Sequence, residues 1–327
     1  MKSICLHLSQ RFGTSSLHCM RILITGSTGM LGRAIAAELG RSTSDYYVSA
    51  PSSQDLDLLD ERAVEKFLDS GRFDLIIHCA ALVGGIKANI EHPFDYLNTN
   101  IRMDANLMTA AYNSNIQELM YMASSCMYPA HTNQPMQENQ LLTGSLEKTN
   151  EGYALAKLVG TKTIEFLADN SNWHSFIISN MYGPGDKYDD ANSHLIAATI
   201  NKVARALKQS DQEIEMWGSG YARREFTYVY DIAKYLVDII PKLNSIPTVM
   251  NLGSGIDYSI RDYYEFVCEE LGYTGKIRST LNRPEGMKQK LMDISLAKAH
   301  GWTAETSIKN GLKVTIEDFL SNKMGSL

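Results

Sequence analysis

Short, uninterrupted apolar runs alternate along the chain with longer segments whose apolar positions recur every three or four residues. Arg21-Ile22-Leu23-Ile24-Thr25 predicts a buried strand, followed by a glycine-rich turn and a helix over Arg33 to Leu39. Tyr46 to Ala50 predicts a second strand, Ala63 to Leu68 a helix, and Leu75 to Ala80 a third buried strand. A helix around Phe94 to Asn113, a strand at Glu118 to Ala123, a helix carrying Tyr153 and Lys157, and a strand at Ser175 to Ser179 continue the alternation. Continuous apolar strands separated by helices predict an α/β fold, a Rossmann-like doubly wound parallel sheet covered on both faces.

From Asn180 the pattern changes. Tyr182-Gly183-Pro184-Gly185 is a turn cluster, polar loops and helices follow, and Thr248 to Leu252 predicts one further strand that rejoins the sheet. The expected organisation is a dinucleotide-binding domain over 20–180, with 229–254 rejoining it. A smaller C-terminal substrate lobe is expected from 181–228 and 255–327. Residues 1–19 stand apart, with Lys2, Arg11, four serines, two histidines and no acid. A transit peptide shares that composition but a secretory signal has a long apolar core, and a loose tail or upstream start is the favoured reading.

Composition narrows the class without naming the chemistry. The 327 residues are 44% hydrophobic and 21% charged, with a formal net charge of -6, which argues against a nucleic-acid-binding surface. No apolar run approaches the roughly 20 residues needed to cross a bilayer, so no membrane partner is expected. Five scattered cysteines without CxxC pairs read as reduced thiols in a cytoplasmic protein. No Cys, His, Asp and Glu set has metal-ligand spacing, so no metal is expected.

Two patterns carry chemistry. Gly26-x-x-Gly29-x-x-Gly32 lies between a strand and a helix, where backbone N–H groups and the helix N-terminus can approach a pyrophosphate. The end of the second strand reads Ser49-Ala50-Pro51-Ser52-Ser53, without the acid that usually holds the ribose hydroxyls of NAD. Serines there, helped by Arg33, suit a 2′-phosphate, so NADP(H) is favoured.

The second pattern is a split reactive set. Tyr153 and Lys157, four apart on a helix, share one face, where an ammonium is expected to lower the phenol pKa for proton transfer. Ser124 ends a strand and can hold the same carbonyl oxygen. Cys126, two residues on, is more than a plain carbonyl reductase requires.

The chain resembles the extended short-chain dehydrogenase/reductase family, and within it the GDP-L-fucose synthases. The resemblance runs from Met20 to about Asn322 and rests on an ordered series of motifs. These are Ala80-Ala81-Leu82-Val83-Gly84-Gly85-Ile86, Ser124-Ser125-Cys126-Met127-Tyr128-Pro129, Gln134-Pro135-Met136-Gln137-Glu138 and Thr149 to Lys157. Asn192-Ser193-His194, Trp217-Gly218-Ser219-Gly220 and Arg224-Glu225-Phe226 complete it.

The resemblance implies an NADPH-dependent enzyme that epimerises a GDP-linked 4-keto-6-deoxy sugar at C3 and C5 and then reduces C4. Ser124, Tyr153 and Lys157 match the reductive triad, with Lys157 on the nicotinamide ribose. Cys126 and His194 match the epimerisation pair; a 4-keto group acidifies C3 and C5, and inversion needs deprotonation from one ring face and reprotonation from the other, which a thiol and an imidazole on opposite sides can supply. Gly26, Thr28, Gly29, Met30, Gly32, Ala80, Ala81 and Asn100 fall on the cofactor side. Asn180, Lys202, Trp217, Arg224 and Lys290 fall at substrate positions. A homodimer through two long helices is also implied.

Three departures touch the substrate side: Gly152 where the family commonly has Pro, Lys202 where it has Arg, and the segment 284–290. They keep open a C4 reductase on a related GDP-4-keto hexose or heptose. A non-catalytic dinucleotide sensor is the third class, which has no use for the Ser/Tyr/Lys set. Plainer readings stand beside some residues. His78, Cys79, Tyr128 and Tyr182 read as packing, Trp217 as packing between lobes or a substrate face, and Arg224 as a solvated charge or a substrate cation.

Overall fold

The computed structural model describes residues 19–188, 193–281 and 286–323. The expectations for residues 1–18, Asn192, Pro284 and Glu285 lie outside them. The first half runs β1 (Met20–Thr25), α1 (Met30–Arg41), β2 (Tyr46–Ser49), α2 (Glu61–Gly71), β3 (Leu75–His78), α3 (Ile86–Glu91) and α4 (Pro93–Asn113). Then come β4 (Glu118–Ser124), α5 (Glu151–Leu167), β5 (Asn172–Ile178), β6 (Asn180–Tyr182), α6 (Leu195–Gln209), β7 (Glu213–Trp217) and β8 (Arg223–Tyr228). The chain closes with α7 (Val229–Asp238), β9 (Val249–Leu252), β10 (Asp257–Ser259) and α8 (Ile260–Leu271). Last are β11 (Lys276–Thr280), β12 (Gln289–Lys290), α9 (Ser295–Ala299) and α10 (Ile308–Lys323).

The apolar runs build a six-stranded parallel sheet in the order β2-β1-β3-β4-β5-β9. Alternate residues of each strand feed opposite faces. Ile22, Ile24, Leu75, Ile77, Met120 and Phe176 pack with α1 and α7, while Leu23, Ile76, Leu119, Tyr121 and Ile177 pack with α2, α4 and α5. That two-sided burial explains why the strands read as unbroken hydrophobic runs.

Strand order reverses beside β1, whose neighbours are β2 and β3. Ligands of open α/β sheets bind beyond the carboxyl ends of the strands at such a switch point. Gly26, Cys79 and Ser125 follow directly on β1, β3 and β4 there. A separate apolar cluster joins α6, α8 and α10 to β7 and β8. β8 pairs with β6, β10 and β12, which brings segments distant in sequence to the same end of the sheet.

Candidate active site

The glycine turn is shaped by close approach. Gly26 has φ +68°, and a Cβ there would lie 2.6 Å from the backbone N of Ala80; one at Gly32 would lie 2.3 Å from the Gly26 carbonyl oxygen. Gly29 caps α1 without any side-chain hydrogen bond, and the first turn holds no acid. Helix N–H groups left open in this way suit a phosphate, so the residues present fit a dinucleotide.

A cavity of about 1490 Å³ extends from this turn. Gly26, Thr28, Gly29, Met30, Gly32, Ala80, Ala81, Ser124, Tyr153, Asn180 and His194 all line it, as do Ser52 and Ser53 beyond β2. Ser27 Oγ donates to the carbonyls of Ala50 and Pro51, at 3.0 and 2.8 Å, and ties the glycine turn to the end of β2. Arg33 also lines the cavity, with its guanidinium donating to the Gly185 carbonyl. Asn100 is fully buried outside the lining. It accepts from Leu82 N–H at 2.8 Å and donates to the Leu82 and Tyr96 carbonyls, so it acts by holding the loop after Ala81.

Ser124 ends β4 at the cavity and accepts weakly from the Cys126 N–H at 3.4 Å. Tyr153 reaches the same cavity from α5. Burial, with the nearby Cys126 and Asp104, holds its phenol well above the ordinary range. The expected lowering by Lys157 is therefore not what the structure has. The Lys157 side chain is 1% exposed, and its Nζ lies 4.4 Å from the centroid of the Tyr121 ring but 6.0 Å from that of Tyr153.

Cys126 is buried just behind Ser124, and burial pushes its thiol up. Of the influences that oppose this, the Lys290 ammonium is the strongest, ahead of Ser124 and Lys157. Burial pulls Lys290 down, Cys126 works the other way, and Arg224 adds to the depression. The register explains this grouping, because Lys290 of β12 is the partner of Arg224 on β8. Three residues read from separate motifs thus form one cluster.

His194 occupies the N-cap position of α6 and faces Asp186, whose carboxyl is raised by burial and opposed chiefly by the His194 charge. Asp186 was not foreseen, although it follows the Gly183-Pro184-Gly185 turn directly. Asn201 and Arg205, one helical turn apart on α6, also line the cavity.

Lys202 takes another direction. Its Nζ donates to the Glu215 carbonyl at 2.5 Å and to the Tyr264 hydroxyl at 3.2 Å, and it lies outside the cavity lining. One residue along a helix rotates the side chain by about 100°, which separates Lys202 from the face of Asn201 and Arg205. Trp217 ends β7 and is 45% exposed, so it is not packing between lobes. Tyr128 and Tyr182 are core, as expected. Among the described residues the cysteines are unpaired, no His/Cys/Asp/Glu group could hold a metal, and no helix is long and apolar enough to cross a membrane.

Comparison with known proteins agrees with this geometry. Residues 22–253 match the family model for NAD dependent epimerases/dehydratases. The chain is 40% identical over 307 residues to a GDP-L-colitose synthase of Yersinia pseudotuberculosis, covering 93% of this chain and 99% of that one. It is 40% identical over 303 residues to a GDP-L-fucose synthase of Azorhizobium caulinodans, covering 92% and 96%. A Campylobacter jejuni GDP-mannoheptose C4 reductase solved with NADP bound superposes with a TM-score of 0.83 at 25% identity, over 92% of this chain and 98% of the other.

Proposed function

The chain belongs to the NAD-dependent epimerase/dehydratase family, and from that premise we propose that it is an NADPH-dependent epimerase/reductase acting on a GDP-linked 4-keto-6-deoxy sugar. One observation carries the reading: a single cavity joins the glycine turn to Ser124, Tyr153 and His194, with Cys126 buried directly behind Ser124. Relatives named for GDP-L-fucose and GDP-L-colitose synthesis support the substrate class.

In this reading Ser124 and Tyr153 hold the C4 carbonyl oxygen. Tyr153 delivers the proton there, and Ser124 with Tyr153 stabilises the enolate formed during epimerisation. Cys126 and His194 move protons at C3 and C5 from opposite ring faces. NADPH, when bound, supplies the hydride. Burial keeps the Tyr153 phenol protonated, so it carries the proton that the C4 oxygen takes up. Lys157 holds the cofactor ribose.

Asn180, with Arg224, Lys290 and Trp217 from the lobe of 181–228 and 255–327, holds the sugar nucleotide, and Lys202 supports them through the Glu215 carbonyl of β7. We place the enzyme in the cytoplasm, in keeping with the unpaired cysteines among the described residues, and as a homodimer through α4 and α5.

A second reading, C4 reduction alone on a GDP-4-keto hexose or heptose, draws on one fact. Burial raises the Cys126 thiol, which disfavours a thiolate base. Incubation with NADPH and GDP-4-keto-6-deoxy-mannose in deuterated water separates the two. Deuterium at C3 and C5 with NADPH consumption is expected. Consumption without label leaves the reductase alone, and no oxidation of NADPH with any GDP-4-keto sugar removes both.

A further inference from the structure

Behind the reacting face of α5 lies a chain of buried polar groups that the chemistry above does not use. Thr25 ends β1, His78 ends β3, Asp104 sits midway along α4 and Tyr121 lies within β4. None of them is more than 3% exposed. Thr25 Oγ1 and His78 Nδ1 are 2.7 Å apart, and His78 Nε2 lies 3.0 Å from Asp104 Oδ1. The Tyr121 hydroxyl donates to Asp104 Oδ2 at 2.5 Å.

An ionised Asp104 takes its bond from the Nε2–H of His78, whose Nδ1 is bonded to the Thr25 hydroxyl. Both oxygens of Asp104 then accept, as an ionised carboxylate does. A carboxylate this deep requires a counter-charge. Lys157 provides it: its Nζ lies over the face of the Tyr121 ring, whose hydroxyl grips Asp104. Burial works to raise the Asp104 carboxyl, but Lys157 first, then His78 and Tyr121, hold it below its ordinary value.

We propose that Asp104 is a positioning residue for Lys157, a buried counter-ion that anchors the ammonium across the Tyr121 ring at the depth from which it meets the cofactor ribose. The chain of bonds ends on Thr25, directly before Gly26, so the same carboxylate ties the helix of Tyr153 and Lys157 to the dinucleotide turn. This rests on Lys157 acting as the ribose-binding residue of the proposed reductase. The titratable and charged groups around the pair are His78 from β3 and Cys79 directly after it, Tyr121 from β4, Cys126 from the turn after β4, and Tyr153 from α5.

Asp104→Asn keeps the shape and removes the charge. NADPH binding, followed by energy transfer from protein fluorescence, needs no sugar substrate. The variant is expected to bind NADPH about tenfold more weakly, because one partner of a buried charge pair is lost. Loss of an anion beside a cation favours the neutral form of the cation, so the alkaline limb of NADPH binding should also move to lower pH. Asp104→Glu should recover part of both.

A wild-type dissociation constant and pH profile in Asp104→Asn, whatever its melting temperature, would overturn the inference. So would weaker binding with an unmoved pH profile, since a purely structural role predicts that result. If Asp104→Asn does not fold, Tyr121→Phe keeps the ring under Lys157 and frees Asp104 Oδ2; binding weaker than wild type but less impaired than loss of the carboxylate charge would give is expected, since Asp104 keeps its charge and loses one hydrogen bond, and wild-type binding overturns the inference. A wild-type protein that binds NADPH but reduces no GDP-4-keto sugar would remove the proposed function, while the binding data would still decide the role of Asp104.

Discussion

The Lys290 ammonium is the strongest influence opposing the burial of the Cys126 thiol, although the two residues come from β12 and from the turn after β4. The thiol stands above its ordinary range because its thiolate is poorly solvated, and Lys290 returns part of that loss. Lys290→Met is therefore expected to raise the Cys126 pKa further. The thiolate absorbance in the ultraviolet, taken as the difference from Cys126→Ser over a pH series, reads it. The same substitution should move solvent exchange at C3 and C5 to higher pH, while Cys126→Ser should abolish exchange and leave reduction. An unmoved midpoint in Lys290→Met would separate the two residues.

Gly152 lets α5 begin against α4. A Cβ there would lie 2.3 Å from the Pro93 carbonyl oxygen, a backbone atom that cannot swing aside. Alanine is otherwise better in a helix than glycine by about 0.5–1 kcal/mol. Forced contact in a packed site costs about 1–3 kcal/mol, so the clash wins. Gly152→Ala should lower the melting temperature, and because Tyr153 is the next residue, it should also slow C4 reduction. A more stable variant would mean that the helix start has room to shift.

Glu225 gives a pH signature. It is 1% exposed and accepts from the Met292 N–H at 2.9 Å and the Gly255 N–H at 2.7 Å, but burial dominates and pushes its pKa to about 7. A carboxyl raised above its unfolded value of 4.5 contributes stability that is complete below that value. The contribution is lost as pH rises through about 7. Each tenfold change in proton affinity is worth roughly 1.4 kcal/mol, so the loss is about 3 kcal/mol. Melting temperature should fall between about pH 4.5 and 7, and Glu225→Gln should flatten that fall. Equal slopes in the two proteins would show that Glu225 ionises freely in the fold.

The sheet was legible because both of its faces are covered, which makes each strand an apolar run. The glycine turn was legible because its position between Thr25 and Arg33 follows from local sequence alone. What stayed hidden depends on closure. Asp104 reads as one more charge on a long helix until β3 and β4 bring His78 and Tyr121 against it. Lys202 and Arg205 are both cations on α6, and only the orientation of that helix decides which meets the cavity. Lys290 reaches Cys126 through pairing between β12 and β8, which no local pattern records.

The outward face of α5 carries the last prediction. Leu155, Val159 and Phe166 are 39%, 48% and 80% exposed, and at 100° per residue they fall within one narrow stripe. Tyr153 and Lys157 lie on the other side, about 160° from Leu155 and about 120° and 160° from Val159. On α4, Phe94 and Tyr112 are 69% and 58% exposed. Covering one large apolar side chain is worth about 1.5–3 kcal/mol, and a second copy of the same helix pair would cover several at once in each subunit. Val159→Glu places a charge in the middle of the stripe and should convert the proposed dimer to a monomer in analytical ultracentrifugation. Because Tyr153 and Lys157 face away from the stripe, NADPH affinity should change little while the melting temperature falls. A wild-type protein that sediments as a monomer at micromolar concentration would refute the dimer, and a Val159→Glu protein that remains dimeric would move the interface elsewhere.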